Sequence, residues 1–319
     1  MPYTNIHYSL VATTFNDAKT ILQYLDNIMQ LTYLPLEIVI ADGGSKDNTL
    51  ELIEEYSKSS RIPIIVISGA RLNISEGYNA AIRACSLDII GITGVGNRYE
   101  KDYFKLLCQE METTGSDLVY GKICGVNTTK FSQKYNNTFL NNEQGQVLSI
   151  ASNHGVLIKK KVFEELKYFY DKFIYAGEDT EFYSLALKKG YKTICVKSAI
   201  VYWETPATIK EFLKQIKNYL IGNMQIYSKK EFLHVYRAQF KRLGLFILAL
   251  SFICLCIGIR VPLIGFAFII IALITLCSIV KKAKPSNSKL YLLLIKDCMI
   301  LFYMIKYRKY MQDIYQVKR

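Results

Sequence analysis

Residues 36–45 have the sequence LEIVIADGGS. The run Leu36–Ala41 is short, apolar and rich in β-branched residues, which predicts a buried strand. The segment Asp42–Ser45 that follows combines acidic, glycine and serine residues and predicts a tight turn. Because both faces of such a strand are apolar, the pattern is typical of a parallel sheet that helices cover on both faces.

The same alternation continues on both sides of this stretch. The predicted strands are Tyr8–Thr13, Leu36–Ala41, Ile62–Ser68, Ile89–Thr93 and Leu118–Ile123, and the predicted helices are Ala18–Leu31, Asn48–Tyr56, Gly77–Ala84 and Tyr103–Met111. Strands that alternate with helices form a mostly parallel sheet, and ligands bind beyond the carboxyl ends of its strands. This rule selects four segments as a candidate site, namely Thr13-Thr14, Asp42–Ser45, Ser68–Arg71 and Gly94–Arg98.

The pattern is less regular after residue 123. Cys124–Ile150 is rich in Asn, Thr and Gln, which predicts an irregular excursion. Beyond it, the sequence predicts strands at Gly155–Lys159, Lys192–Val196 and Ala199–Trp203, and helices at Gly177–Lys189 and Thr208–Tyr227. The α/β domain is therefore predicted to cover residues 1–235.

The composition limits the class of protein. Of the 319 residues, 51% are hydrophobic and 21% are charged, so a sizeable core is expected and a disordered chain is not. The eight cysteines form no C-x-x-C pair, so neither a disulfide framework nor a zinc site is predicted. The N-terminal sequence MPYTNIHYSL lacks the charged and apolar regions of a signal peptide, and the α/β domain is expected to face the cytosol.

Positive charge is concentrated at the C-terminus. The net charge is +13, and the chain from Lys281 onward contains ten basic and two acidic residues. A basic tail that follows apolar segments indicates an anionic membrane surface as its partner. No nucleic-acid-binding module accompanies this charge, so nucleic acid is not an expected partner.

Two uncharged apolar runs precede this tail. Leu243–Ile259 and Val261–Val280 approach the ~20 residues that a spanning helix needs, and basic residues flank the pair on both sides. They predict a C-terminal transmembrane helical hairpin within residues 236–288, with both ends in the cytosol. In the tail 289–319, the interrupted run Leu290–Ile305 predicts an amphipathic segment on the membrane surface, with a third crossing as the alternative.

Three motifs occur in order along the α/β domain. They are DGGSKDNT at residues 42–49, NISEGYNAAI at residues 73–82, and GEDTE at residues 177–181, with Gly190-Tyr191 and Val201-Tyr202-Trp203 after the last. With this ordered set, residues 8–225 resemble the family 2 glycosyltransferases, most closely the bacterial membrane-anchored type. The resemblance implies a Rossmann-like GT-A fold and an inverting transfer of a sugar from a nucleotide-sugar donor to an acceptor hydroxyl.

The resemblance also implies which residues hold the donor. Asp42 matches an aspartate that contacts the nucleotide base, and a carboxylate at a strand end can accept a base N–H; the alternative is a turn residue of an Asp-Gly loop. Arg71 and Arg98 lie on strand-end loops where a cation can bind phosphate, although most such arginines are solvated surface residues. The expected nucleotide-sugar-binding set is Thr13, Thr14, Asp42, Gly43, Ser45, Arg71, Asn79, Gly94, Gly96 and Arg98.

Asp179 matches the catalytic base of the family. An inverting displacement needs one group that takes the acceptor proton, and the start of a helix is expected to keep this carboxylate ionised. Glu178 is expected to orient the site beside it, and the alternative for both residues is helix capping. His154 and Trp203 are assigned to the acceptor side, with a structural role as the alternative for each.

One departure from the family pattern concerns metal. Family members carry an acidic motif after the fourth strand, whereas the matching stretch Ile92–Arg98 has glycine at both acidic positions. Mg²⁺ and Mn²⁺ require oxygen ligands, so no metal ligand is assigned here. Three explanations stay open: a cation such as Arg98 neutralises the diphosphate, Glu100 or Asp102 completes the site, or catalysis has been lost.

These observations predict a transferase at the cytosolic face of the inner membrane. It would add one sugar to a lipid-linked or membrane-proximal saccharide acceptor during capsule, exopolysaccharide or lipopolysaccharide assembly. Processive polysaccharide synthases carry a Gln-x-x-Arg-Trp motif in the matching helix. Gln215 resembles the start of this motif, but Asn218 and Tyr219 do not match it, so processive synthesis is not expected. The alternatives are a non-catalytic scaffold that resembles a glycosyltransferase and, more weakly supported, a basic membrane-surface protein without sugar chemistry.

Overall fold

The computed structural model describes residues 4–69, 71–140, 151–173, 176–227, 229–242, 244–245, 248 and 287–308. These residues form two compact units. The described residues of the first unit lie within Met1–Asn127 and Glu143–Thr205, and those of the second lie within Thr128–Asn142 and Pro206–Lys318. The domain boundaries expected at residues 235 and 288 stay a prediction.

The secondary structure of the described residues contains eight strands and ten helices. The strands, all in the first unit, are β1 (Ser9–Thr14), β2 (Glu37–Asp42), β3 (Ile64–Ile67), β4 (Ile89–Ile92), β5 (Asn97–Tyr99), β6 (Leu118–Val126), β7 (Val156–Lys159) and β8 (Thr193–Glu204). The helices are α1 (Ile21–Met29), α2 (Thr49–Ser59), α3 (Ile74–Ala84), α4 (Tyr103–Thr114), α5 (Lys130–Phe139), α6 (Lys160–Glu165), α7 (Glu178–Lys188), α8 (Ile209–Ile226), α9 (Lys229–Val235) and α10 (Asn287–Lys306). Helices α5, α8, α9 and α10 belong to the second unit.

The sheet has the strand order β3-β2-β1-β4-β7-β6-β8-β5. Four neighbouring pairs are parallel, namely β3–β2, β2–β1, β1–β4 and β6–β8. The pairs β4–β7, β7–β6 and β8–β5 are antiparallel. The sheet is therefore mixed, and the prediction of a mostly parallel sheet was wrong for its second half. The physical reason is that β7 inserts in the opposite direction between β4 and β6.

Helices cover both faces of this sheet, as predicted. Along β2, Ile38 and Ile40 pack in one apolar cluster, whereas Val39 and Ala41 pack in the other. The first cluster also contains buried residues of α1, α2 and α4, and the second contains buried residues of α3, α6 and α7. The continuous apolar run in the sequence is thus explained by a strand that is buried on both sides.

Two segments differ from the sequence prediction. The excursion Cys124–Ile150 begins with the last residues of β6 and then forms α5, which Thr129 caps by accepting the backbone N–H of Ser132 at 3.1 Å. Residues 141–150 of the excursion lie outside the described residues. The two strands expected between residues 192 and 203 are one strand, β8. It pairs with β6 along its length, with a register shift between Gly121 and Lys122.

The described part of the second unit has its own apolar cluster, which includes Phe212, Leu220 and Leu292. Asp297 on α10 is buried and accepts the Nε of Arg242 at 2.8 Å and its Nη2 at 2.9 Å. A buried carboxylate is tolerated when a cation is hydrogen-bonded to it. This ion pair explains how the apolar run Leu290–Ile305 can contain a buried acidic residue.

Within the described ranges, no helix has both the length and the apolar character that crossing a membrane requires. This finding overturns the transmembrane hairpin as part of the predicted fold class. Helix α10 spans 20 residues but contains Lys296 and Asp297 in its interior. The two runs from which the hairpin was inferred lie almost entirely outside the described residues, which exclude positions 249–286. The surface segment expected at Leu290–Ile305 stays a prediction.

Candidate functional site

The ends of β1 and β2 meet at one edge of the sheet, where Thr14 pairs with Asp42. Asp42 is fully buried, and its Oδ2 accepts the backbone N–H groups of Gly44 and Ser45, both at 2.9 Å. Its Oδ1 accepts the Ser45 hydroxyl at 2.5 Å, and the Gly43 N–H donates to the Thr14 carbonyl at 2.8 Å. The turn role considered for Asp42 is therefore present. A carboxylate has about four acceptor positions, so one remains for a base N–H.

The second motif, at residues 73–82, starts α3. Asn73 and Glu76 form a reciprocal capping box: the Asn73 Oδ1 accepts the Glu76 N–H at 2.9 Å, and the Glu76 Oε2 accepts the Asn73 N–H at 2.8 Å. Asn79 is buried and clamps the backbone of Phe169, donating Nδ2 at 2.8 Å and accepting at 2.9 Å. Both polar atoms of the Asn79 side chain thus have hydrogen-bond partners within the protein. Arg71, the other residue expected to bind the donor in this region, is exposed. Asn79 holds the segment at Phe169, and no ligand contact is needed to explain it.

The turn between β4 and β5 depends on its two glycines. Gly96 has φ +97°, a left-handed conformation that favours glycine. A Cβ at Gly94 would lie 2.9 Å from the Asn97 Nδ2. The Oδ1 of Asn97 lies 3.1 Å from the Nδ1 of His154, whose ring centroid is 4.9 Å from that of Trp203. The two residues assigned to the acceptor side therefore contact each other.

His154 is not a proton carrier at neutral pH. Burial lowers the pKa of its imidazole to about 4, so the ring is neutral at pH 7. The structural alternative for His154 is thus supported by its contact with Trp203 and by its hydrogen bond to Asn97. Its role toward an acceptor stays a prediction.

Arg98 lies on β5, with its guanidinium 4.7 Å from the ring centroid of Tyr202. A cavity of about 230 Å³ opens beside it, between α1, the β4–β5 turn and the end of β8. Arg98 and Gly96 both line this cavity. A guanidinium stacked on an aromatic ring keeps its N–H groups available, so Arg98 can receive an anion.

The β4–β5 turn does not fit a divalent cation. It offers glycines where carboxylates are needed, and the amide oxygen of Asn97 already contacts His154. Glu100 accepts the Tyr202 hydroxyl at 2.9 Å, and Asp102 accepts the Thr32 hydroxyl at 2.6 Å. Across the part of the chain that the structure describes, no group of three or more His, Cys, Asp and Glu side chains is arranged to hold a metal ion.

The third motif places two carboxylates at the start of α7. The N-cap is Gly177, so neither acidic residue fills the capping position that was considered for them. The Oδ1 of Asp179 accepts the N–H of Thr180 at 2.6 Å and its hydroxyl at 3.2 Å. The Oε1 of Glu178 accepts the Nδ2 of Asn153 at 3.4 Å, and its buried Oε2 has no hydrogen-bond partner among the described residues. Buried polar atoms usually have a partner, so this oxygen marks Glu178 as a candidate functional group.

Burial dominates the electrostatics of this acidic pair. Burial and the neighbouring charge of Asp179 raise the pKa of Glu178 to about 8, and burial also raises the pKa of Asp179. The helix start was expected to keep Asp179 ionised, and burial shifts its pKa in the opposite direction. Two adjacent carboxyl groups titrate as a pair, so together they can hold one proton and one negative charge.

Several residues around the pair were missed by the sequence analysis. Asn153 precedes β7 in a loop without any periodic pattern, so nothing in the sequence singled it out. Tyr183 was detectable in principle, because it follows Asp179 by one helical turn on α7. Tyr78 on α3 donates its hydroxyl to the Thr93 carbonyl at 2.8 Å and interacts electrostatically with both carboxylates.

Comparison with known proteins identifies the family of the chain. The model of glycosyl transferase family 2 matches residues 9–167, and that of glycosyl transferase family group 2 matches residues 97–281. The chain is also 24% identical to the dolichyl N-acetyl-alpha-D-glucosaminyl phosphate 3-beta-D-2,3-diacetamido-2,3-dideoxy-beta-D-glucuronosyltransferase of Methanococcus voltae. That alignment is 311 positions long and covers 92% of this chain and 94% of the relative.

Two solved structures share the fold over most of their length. The mannosyltransferase PcManGT from Pyrobaculum calidifontis, in complex with GDP-Man and Mn²⁺, has a TM-score of 0.67 at 16% identity and covers 95% of this chain and 87% of its own. S. aureus TarS 1-349 in complex with UDP-GlcNAc has a TM-score of 0.51 at 15% identity and covers 95% and 92%. These likenesses show a GT-A-like fold. Because one family model covers more than half of the sequence, the chain belongs to the family 2 glycosyltransferases.

Proposed function

We propose that this glycosyltransferase moves one sugar, with inversion, from a nucleotide-sugar donor to a hydroxyl of a lipid-linked acceptor. The observation that carries the proposal is the pair of carboxyl groups at the start of α7, where Glu178 is buried and Asp179 beside it is half-buried. The nucleotide sugars named for the two structural neighbours support the donor class. The dolichyl phosphate sugar in the name of the Methanococcus relative supports a lipid-linked acceptor.

In this proposal Asp179 is the base. It takes the proton of the acceptor hydroxyl while the oxygen forms a bond to the anomeric carbon of the donor. The bond between that carbon and the donor phosphate breaks, and the nucleoside diphosphate leaves with the electron pair. Glu178, whose pKa is about 8, is protonated at neutral pH and adds no second negative charge beside Asp179.

The donor is held by groups at the edge of the sheet. The remaining acceptor position of Asp42 suits a base N–H, and Arg98 suits the diphosphate. A structural neighbour binds Mn²⁺, but the residues of the β4–β5 turn do not fit such an ion in this chain. We therefore assign no step to a metal and leave phosphate neutralisation to arginine.

The proposal also places the reaction at the cytosolic face of the cytoplasmic membrane, in the assembly of a cell-surface polysaccharide. A lipid-linked acceptor resides in the bilayer, so the enzyme must work at its surface. The ten basic residues from Lys281 onward support an anionic membrane surface as a partner.

A nucleotide titration tests the donor class and the metal-free site together. The purified full chain is titrated by calorimetry with UDP, GDP and dTDP, each with Mg²⁺, with Mn²⁺ and with EDTA. We expect one nucleotide to bind with the same affinity in EDTA as with metal, because an arginine side chain and not a metal ion contacts the diphosphate. Binding that requires metal would contradict this assignment, and the absence of binding under every condition would favour the non-catalytic scaffold.

Replacing Asp42 by alanine is expected to weaken binding of that nucleotide by about tenfold or more, the value of a hydrogen bond to a charged group. Ser45→Ala is the matched control, because it removes the hydroxyl bond within the loop but keeps the carboxylate. The dissociation constants are measured by calorimetry. Equal losses in both variants would show that Asp42 acts only through the loop.

A further inference from the structure

Asn153 connects two side chains of α7. The Tyr183 hydroxyl donates to the Asn153 Oδ1 at 2.7 Å, and the Asn153 Nδ2 donates to the Glu178 Oε1 at 3.4 Å. Because the hydroxyl occupies the amide oxygen, the N–H end of the amide must face Glu178. The orientation of this amide is thus set by Tyr183.

The backbone around Asn153 is also fixed. The Tyr99 hydroxyl donates to the His154 carbonyl at 2.8 Å, and the Tyr103 hydroxyl donates to the Gly155 carbonyl at 2.8 Å. Both tyrosines are buried. Asn153 is therefore attached to rigid neighbours at its side chain and at the two residues that follow it.

Among the described residues, the main electrostatic influences on the acidic pair are not cations. The titratable groups with which Glu178 interacts include Asp179 and Tyr183 on α7 and Tyr78 on α3, and Glu181 is a third acidic residue in the first turn of α7. None of them is positively charged at neutral pH. The ionised form must instead be stabilised by hydrogen-bond donors, since burial disfavours it.

Asn153 donates to both members of the pair. Its side-chain N–H lowers the pKa of Glu178, and its backbone N–H lowers the pKa of Asp179, each against the larger effect of burial. The remaining contributions come from backbone groups of α7 and of Gly177, and from the Thr180 hydroxyl. Asn153 thus supplies the pair with an amide donor from a described side chain outside α7.

We propose that Asn153 is a positioning residue of the acidic pair: Tyr183 holds its amide in place, and the amide orients Glu178 and sets the pH at which this carboxyl ionises. The proposal rests on the role proposed for the pair as proton acceptor. If the role of Asn153 were only structural, it would stabilise the fold without changing the pH at which the pair ionises.

The test is a pH titration of the pair by infrared difference spectroscopy on the full chain. A protonated carboxylic acid has a C=O band that disappears on ionisation, and Glu178→Gln assigns the band of Glu178. In the wild type we expect a midpoint near 8. In Asn153→Ala we expect the midpoint to rise by about one pH unit, because the lost N–H favoured the charged form. Tyr183→Phe, which keeps the ring, should raise it by less.

Asn223→Ala is the matched control, because Asn223 donates its Nδ2 to the Tyr236 hydroxyl in the second unit. It should leave the midpoint unchanged. Circular dichroism verifies that each variant is folded. A wild-type midpoint in folded Asn153→Ala would overturn the proposal, and so would a shift toward lower pH.

An activity profile separates this inference from the proposed function. The alkaline limb of kcat/KM, measured by nucleotide release with a polyprenyl-phosphate-linked N-acetylglucosamine as acceptor, should move to higher pH by the same amount in Asn153→Ala, because this limb reports the loss of the Glu178 proton. Loss of rate at every pH without a shift of the limb would indicate a structural role and contradict the proposal. If the band shifts but Asp179→Asn still transfers sugar, the pair is tuned by Asn153 and the proposed base is wrong.

Discussion

Asp179→Asn is expected to lower kcat for sugar transfer by about 10²–10⁴-fold, the usual contribution of a general base. Asparagine has nearly the shape of aspartate but cannot accept the acceptor proton. Its amide oxygen can still accept the N–H and hydroxyl of Thr180, so the start of α7 should persist. Nucleotide affinity, measured by calorimetry, should stay close to that of the wild type, because Asp179 lies outside the Asp42 loop.

Glu178, the neighbour of Asp179 on α7, allows a direct comparison of the two carboxyl groups. Glu178 is protonated at neutral pH, and glutamine resembles that neutral form, so Glu178→Gln should lose much less activity than Asp179→Asn. Glu51→Gln, a change in the first turn of α2 at an exposed position, should have no effect. A larger loss in Glu178→Gln than in Asp179→Asn would exchange the two roles, and equal activity in all three variants would remove the pair from the mechanism.

The first half of the fold was predictable because its pattern is local. Each strand from β1 to β4 is a short apolar run that ends in a turn, and each following helix has an apolar stripe, so both types are visible in the sequence. The same logic placed Asp42 at a strand end and Glu178 and Asp179 at a helix start, where the structure has them. These are properties of segments, and they need no long-range information.

The second half depended on contacts between distant segments. Strand β5 has three residues, too few for a period, and exists because it pairs with β8 about a hundred residues later. The direction of β7 and the continuity of β8 are likewise set by their neighbours in the sheet. No pattern within one segment specifies such pairings, which is why the sheet was predicted as mostly parallel.

The chemistry of the site shows the same division. Residue types were read correctly, but the pKa of Asp179 depends on how deeply α7 is buried, and the helix-start argument alone gave the wrong direction. Asn79 matched a family motif, yet its amide is used by Phe169, which is 90 residues away. The contact between His154 and Trp203 also joins segments that are far apart in the sequence, namely the turn before β7 and strand β8. Electrostatics and satisfied hydrogen bonds require the packed structure.

Gly121→Ala is expected to lower the free energy of unfolding by about 3 kcal/mol or more, at the upper end of the cost of overpacking a core. A Cβ at this position of β6 would collide with the Ala199 carbonyl oxygen and lie 2.5 Å from the Tyr103 Cε2. Neither obstacle is the end of a flexible chain, since one is the backbone of β8 and the other is the ring of a fully buried tyrosine. Denaturant unfolding measures the loss.

The effect should extend to the acidic pair, because the Tyr103 hydroxyl also accepts the Gly121 N–H at 3.1 Å and donates to the Gly155 carbonyl at 2.8 Å. Displacing this ring loosens the loop that carries Asn153, so sugar transfer should fall even at temperatures where the variant is folded. Gly244→Ala is the control, because its Cβ would meet no described atom within 4 Å and the change should be neutral or slightly stabilising. If Gly121→Ala were as stable as the wild type, the close packing of β6, β8 and Tyr103 would be wrong, and with it the rigid support assigned to Asn153.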